Sequence, residues 1–166
     1  MKLALLFFAV LLVGLIAVES ASAQATATQS VTLAVQAVYR ISVSGNPAPL
    51  TINAGTAGVD TLTTVSDAST SYNITQNFAN TVKITAELNS PLSAGYFLHL
   101  TMQSNKGTSA GAVDISSTTA GSGVPVVTAI ARGADANKTI TYAFTALASA
   151  GTLASTVKTV TLTLTN

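Results

Sequence analysis

Few residues of this chain have the types and spacing that catalysis or metal binding requires. His99 is the single histidine, and the sequence contains no cysteine. A hydrolytic triad would need that histidine beside a nucleophilic serine and a carboxylate, and no G-x-S-x-G turn accompanies it. One imidazole and a few dispersed acids do not make a zinc or transition-metal cluster. We therefore predict no catalytic residue, no metal site and no cofactor, and we interpret the protein as a non-enzyme.

The remaining candidates for chemistry are weaker. Asp135 and Asn137 offer alternate oxygen ligands for calcium, but these residue types are also common in turns, and a dedicated calcium loop is more acidic. Glycoside hydrolysis needs two carboxylates across a cleft, and Glu87 is the only glutamate after residue 23. Asn73 and Asn137 each begin an N-x-Thr pattern, which matters only where the organism glycosylates such sites.

The first 23 residues have the pattern of a secretory signal peptide. Lys2 precedes an almost unbroken apolar run, and Ala21-Ser22-Ala23 matches the small-x-small site of signal peptidase. The apolar run covers roughly 16 residues, fewer than the roughly 20 of a membrane span. An uncleaved N-terminal anchor is the alternative. We expect Sec-type export, cleavage after Ala23, a secreted or cell-surface location without membrane contact after cleavage, and one domain over residues 24–166.

Charged side chains are scarce. Seven Lys or Arg oppose six Asp or Glu, which leaves a formal net charge of +1. Such scattered charges favour neither a nucleic acid nor an anionic membrane surface as partner. A surface of Ala, Thr and Ser also has little electrostatic repulsion to keep copies apart. We therefore expect the partners to be other copies of the chain or other cell-surface proteins.

Alternating apolar residues predict an all-β fold. Residues 81–103 hold two alternating runs separated by turn residues such as Pro91 and Gly95, and we interpret them as a β-hairpin with one apolar face. The closing run, residues 156–166, alternates Val or Leu with Thr. Shorter strands are predicted at residues 50–52, 61–65, 72–75, 112–115, 124–130 and 139–145, and residues 133–137 and 146–154 are predicted as loops. About seven to nine strands without a convincing helix indicate an immunoglobulin-like antiparallel β-sandwich.

The run over residues 31–43 is the candidate assembly element. One parity holds Val31, Leu33, Val35, Ala37, Tyr39, Ile41 and Val43. Fully extended it would reach roughly 43 Å, longer than usual strands, so we expect a bend near residues 37–39. Such a segment can be the first strand of its own domain, or it can add to the open edge of a neighbour. The second alternative makes Val31, Leu33, Val35 and Ala37 the candidate strand-exchange residues.

A family resemblance follows from this layout. The signal peptide, the alternating N-terminal strand, the Thr/Ser/Ala-rich β domain and the closing Val-x-Leu-x-Leu strand resemble exported bacterial pilin and coat-type subunits, including the spore-coat-U-like fimbrial family. Residues 25–43 and 157–165 carry the resemblance, and a disulfide found in many such subunits has no counterpart here. The resemblance implies an immunoglobulin-like sandwich whose N-terminal strand completes the next subunit.

We therefore predict an exported structural subunit of a pilus, fibre or coat that associates by β-strand addition. The alternative is a monomeric secreted or surface binding module. That module would present its ligand site through the loops at residues 44–49, 104–123 and 133–137.

Overall fold

The structure, a computed structural model, describes residues 25–166. The predicted signal peptide and its cleavage site after Ala23 lie outside the described residues. The chain divides into two units, Met1–Ala34 and Val35–Asn166. Residues 25–34 of the first unit form no helix or strand, and their side chains are exposed. Within residues 25–166, no helix is long and apolar enough to cross a membrane.

The second unit carries nine β-strands and a single 3₁₀ turn. The strands are β1 (Tyr39–Val43), β2 (Val65–Gln76), β3 (Val82–Leu88), β4 (Tyr96–Met102), β5 (Thr108–Ser109), β6 (Val113–Asp114), β7 (Val124–Ile130), β8 (Gly133–Ala146) and β9 (Val160–Thr165), and the turn is Ala148–Ala150. One sheet has the order β1-β2-β8-β4-β6 and the other β5-β7-β3-β9. Every pair of neighbours is antiparallel. The prediction of an all-β fold with two antiparallel sheets is confirmed.

Alternate side chains of both sheets meet in one core. β3 and β4 bury every second residue, as their period-2 pattern predicts. Tyr72 of β2 and Ile140 of β8 are also buried and belong to the same cluster. Burying a Val, Leu, Ile, Phe or Met side chain contributes about 1.5–3 kcal/mol to the free energy of unfolding, so this shared core is the main source of stability.

The predicted hairpin over residues 81–103 is wrong, although both of its strands exist. β3 pairs with β7 and β9, whereas β4 pairs with β6 and β8, so the chain crosses between sheets after Leu88. Two strands with one apolar face each bury those faces together when they lie on opposite sides of a core. Gly95 suits this crossing because its φ is +85° and a Cβ there would lie 2.5 Å from Cβ of Ala150.

The predicted strand over residues 31–43 is correct only in its last part. β1 begins at Tyr39, and residues 31–38 lie outside any strand. Alternation by itself does not create a strand. A strand also needs a neighbouring strand that bonds to its backbone and a core that covers its apolar face. The closing strand is shortened in the same way, since it begins at Val160 instead of residue 156.

Two further assignments change. Residues 50–52 form no strand, and residues 133–137 begin β8 instead of forming a loop. Asn137 sits at a register shift between β2 and β8 with φ +53°, and its N–H donates to Oδ1 of Asn73 at 2.9 Å. Asparagine, a residue type that favours turns, therefore forms a β-bulge within a strand here.

Other predicted elements are present. β7 has the predicted bounds, β6 lies within residues 112–115, and the 3₁₀ turn lies within residues 146–154. The strand predicted at residues 61–65 is reduced to an isolated bridge between Thr61 and Leu147 and to the first residue of β2.

Candidate functional site

His99, the histidine considered for catalysis, lies in β4 of the five-stranded sheet, whereas Glu87 lies in β3 of the other sheet. His99 lies opposite Asp114 in the register of β4 and β6. The Asp114 carboxylate accepts hydrogen bonds from the N–H and the hydroxyl of Ser116. Within residues 25–166, no group of three or more His, Asp or Glu is placed to hold a metal ion. Glu87 accepts a hydrogen bond from the N–H of Gly121 at 2.8 Å.

Asp135, a weak calcium candidate in the sequence, is a structural acceptor. Its Oδ2 accepts hydrogen bonds from the hydroxyl of Ser104 and from the N–H groups of Asn105 and Lys106, at 2.8, 2.7 and 3.1 Å. Lys138 Nζ lies 3.4 Å from Oδ1. Burial raises the pKa of Asp135, but these hydrogen bonds and the lysine charge outweigh it and hold the pKa below its ordinary value. The carboxylate thus fastens the turn after β4 to the start of β8.

The most distinctive surface feature is an open groove between two edge strands. Among the strands of residues 25–166, β1 pairs only with β2 and β9 pairs only with β3. β1 and β9 approach each other at the same side of the two sheets. A groove of about 1180 Å³ is lined by residues of both strands. The opposite edges, β5 and β6, have only two residues each, which leaves little edge for another strand to pair with.

The groove lies over the apolar interior. Leu98, Tyr142 and Phe144 of the five-stranded sheet line it, together with Val160 and Leu162 of β9. Burial raises the pKa of Tyr142 above its ordinary value. These side chains present a mainly hydrophobic surface to an incoming ligand.

The rim of the groove is also apolar and carries one charge. Leu153 and Val157 lie there and are 43% and 89% exposed. Lys158 is the only charged lining residue, and its Nζ donates to the hydroxyl of Ser90 and to the carbonyl of Pro91. An uncharged apolar segment is therefore the best chemical match.

One buried hydroxyl in the groove lacks a partner. Thr70 lines the groove and is 5% exposed, and no atom of the described chain hydrogen-bonds to its Oγ1. Leaving a buried hydroxyl unpaired costs about 1–3 kcal/mol.

The candidate strand-exchange residues are all exposed. Val31, Leu33 and Val35 are 73%, 87% and 88% exposed, and Ala37 is exposed as well. Val31 and Leu33 belong to the first unit, whereas Val35 and Ala37 belong to the second. Residues 25–38 carry no charged side chain. The segment has the alternation of a strand without the strand pairing.

Sequence reasoning did not find the groove. Its lining comes from residues between Ile41 and Leu162, so no local window contains it. The one available signal was the alternation of residues 31–37, which continues that of β1 beyond its start.

Comparisons of the chain with known protein families, with curated proteins and with solved structures found no match.

Proposed function

We propose that the protein is an exported structural subunit of a cell-surface or extracellular assembly, such as a pilus, fibre or coat. Residues 31–35 of one subunit add as a strand to the groove between β1 and β9 of the next. The observation that carries this proposal is the apolar groove between two unpaired strand edges. Strand addition uses backbone hydrogen bonds for strength and alternate side chains for specificity.

The strand order supports an immunoglobulin-like sandwich in which the described residues leave one strand position unfilled. Such a fold has sheets in the orders A-B-E-D and C-F-G. β1, β2, β8 and β4 correspond to A, B, E and D, and β3 and β9 correspond to C and F. β7 pairs with β3, the C strand, on the side away from β9. A C′ strand takes that place in variable domains, but it comes directly after C in the chain, whereas β7 comes after β4. No strand of residues 25–166 takes the G position beside β9, where an added strand would complete the sandwich.

The N-terminal segment fits that position chemically. Residues two apart in a strand are about 6.7 Å apart and point to the same side. Val31, Leu33 and Val35 would therefore enter the groove together, while Thr32, Ala34 and Gln36 would face solvent. No charge would be buried, since the segment has none.

Export is the second part of the proposal. The basic Lys2, the apolar run and the Ala21-Ser22-Ala23 site support a signal peptide. A cysteine-free domain with an extended hydrophobic core needs no disulfide outside the cell.

The test compares two aspartate substitutions on opposite faces of the segment. Leu33→Asp would place a charge in the apolar groove, whereas the neighbouring Thr32→Asp would place it in solvent. Size-exclusion chromatography with light scattering and electron microscopy are applied to residues 24–166. We expect oligomers or fibres for the wild type and for Thr32→Asp, and folded monomers for Leu33→Asp.

Deleting residues 24–37 should have the same effect as Leu33→Asp. A wild type that stays monomeric, with a fold that tolerates this deletion, would overturn the proposal and favour a monomeric binding module. A Leu33→Asp variant that fails to fold would show that the strand pairs within its own subunit.

A further inference from the structure

Asn77 holds the backbone just before β1 through three hydrogen bonds. β1 and β2 pair with Tyr39 opposite Gln76, so the next pair in register is Val38 with Asn77. The N–H of Asn77 donates to the Val38 carbonyl at 3.2 Å. Its side-chain Oδ1 accepts from the Val38 N–H at 2.7 Å, and its Nδ2 donates to the Gln36 carbonyl at 2.8 Å.

The side-chain amide of Asn77 therefore acts as one further peptide group of β2. The side chain supplies one acceptor and one donor to the facing strand, as a ladder residue would. β1 is prolonged in its own direction to Gln36, although β2 itself ends at Gln76. The same amide orientation satisfies both partners, since Val38 N–H needs an acceptor and Gln36 C=O needs a donor.

The direction of this extension decides which groove the segment can enter. The groove lies beside β1, with Ile41 and Val43 in its lining. A segment that precedes β1 would have to reverse before Tyr39 to lie beside its own β1. Asn77 keeps the backbone extended to Gln36, and residues 25–38 contain no Gly, Pro, Asn or Asp to make a tight turn.

We infer that Asn77 is a positioning residue that directs the N-terminal segment away from the groove of its own subunit and towards the groove of a second copy. This inference rests on the proposed strand addition and specifies how self-insertion is avoided. Without the side-chain amide, the chain could leave β1 at Val38 and turn back. Replacement of Asn77 should then increase insertion into the subunit's own groove.

The test uses engineered disulfides, because the chain has no cysteine of its own. Leu33→Cys marks the segment, and Leu162→Cys or Val160→Cys marks the groove at two positions. Each double-cysteine chain of residues 24–166 is mixed with its isotope-labelled copy and oxidised. Mass spectrometry then separates crosslinks within a chain from crosslinks between chains. The comparison is made with Asn77 intact, with Asn77→Ala and with Asn80→Ala, an exposed asparagine in the same connection.

We expect crosslinks between chains to dominate in the wild type and in Asn80→Ala. In Asn77→Ala the ratio of crosslinks within a chain to those between chains should rise about tenfold, as for two lost hydrogen bonds. A purely structural role would lower the thermal midpoint without moving this ratio.

Three results would contradict the inference or its basis. Equal ratios in the wild type and Asn77→Ala would overturn the role of Asn77 and leave strand addition intact. Dominant crosslinks within the wild-type chain would show that the segment fills its own groove, and would overturn the inference. No crosslink at either groove position, in any variant, would overturn the proposed strand addition itself.

Discussion

Thr70 and Thr118 show how single hydroxyl groups distinguish the groove from the rest of the core. Both threonines are 5% exposed. The Thr118 hydroxyl donates to the Ile115 carbonyl and accepts from the Leu88 N–H, whereas the Thr70 hydroxyl has no partner within the described residues. Identical side chains with equal burial therefore have opposite effects on the free energy of unfolding.

Replacing each threonine by valine, which has nearly the same shape, tests this difference. Thr70→Val should stabilise the isolated subunit by about 1 kcal/mol, because an unpaired buried hydroxyl is removed. Thr118→Val should destabilise it by about 1–3 kcal/mol, because the Leu88 N–H loses its acceptor. Urea unfolding of a non-assembling Leu33→Asp background measures both changes. Equal destabilisation by both substitutions would show that Thr70 has an internal partner.

At the scale of elements, one carboxylate connects a turn to a strand. The turn after β4 presents the Asn105 and Lys106 N–H groups and the Ser104 hydroxyl to Asp135 at the start of β8. These donors stabilise the ionised carboxylate, which is why the pKa of Asp135 lies below its ordinary value despite burial. Its stabilising effect is therefore present in full above the ordinary Asp pKa of about 3.9 and is lost as the pH falls through the lower folded-state pKa.

Asp135→Asn should lower the free energy of unfolding by about 2 kcal/mol at pH 7, because the neutral amide loses the charge that strengthens the three hydrogen bonds and attracts Lys138. The difference from the wild type should shrink as the pH falls below the ordinary Asp pKa. Urea unfolding at several pH values gives the comparison. Asp67→Asn is the control, because the Asp67 carboxylate accepts its main hydrogen bonds from Ser69, two residues further along β2. If the difference in the free energy of unfolding between Asp135→Asn and the wild type did not change with pH, the ionised carboxylate would not be what connects the turn to β8.

At the scale of the whole molecule, the second unit is a two-sheet sandwich with one open side. β1 and β9 flank that side, and side chains such as Leu98 and Tyr142 lie at its base. A ligand that binds only the folded subunit adds its binding free energy to the stability of the fold. Filling the groove should therefore stabilise the subunit.

A peptide of residues 25–38 should raise the thermal midpoint of the full Leu33→Asp chain, whose own segment cannot enter a groove. At a concentration 100-fold above its dissociation constant, the peptide should add about 2.7 kcal/mol of stability. Circular dichroism melting at increasing peptide concentration measures the effect. The same peptide with Leu33→Asp is the control and should leave the midpoint unchanged. A wild-type peptide without effect would count against the groove as the acceptor.

Local patterns predicted the strands better than their partners. Alternation in β3 and β4 identified both strands and their buried faces, and it also identified the run that became β9, whereas β7 was recognised from its apolar composition. The hairpin was wrong because alternation describes one strand and its apolar face, not which strand lies beside it. Asn137 was assigned to a loop because the same residue types suit turns and β-bulges.

The sequence by itself determined the all-β class, the buried parity of the main strands and the absence of cysteine chemistry. These are properties of residue types and of neighbours two positions apart, so they can be read along the chain. Only the tertiary structure decided that β1 and β9 are edges, that an apolar groove opens between them, and that Asn77 holds Val38 from 39 residues away. Edges and grooves depend on which distant segments pair with each other. Period-2 alternation does not reveal this, because a strand has the same alternation whichever strand becomes its neighbour.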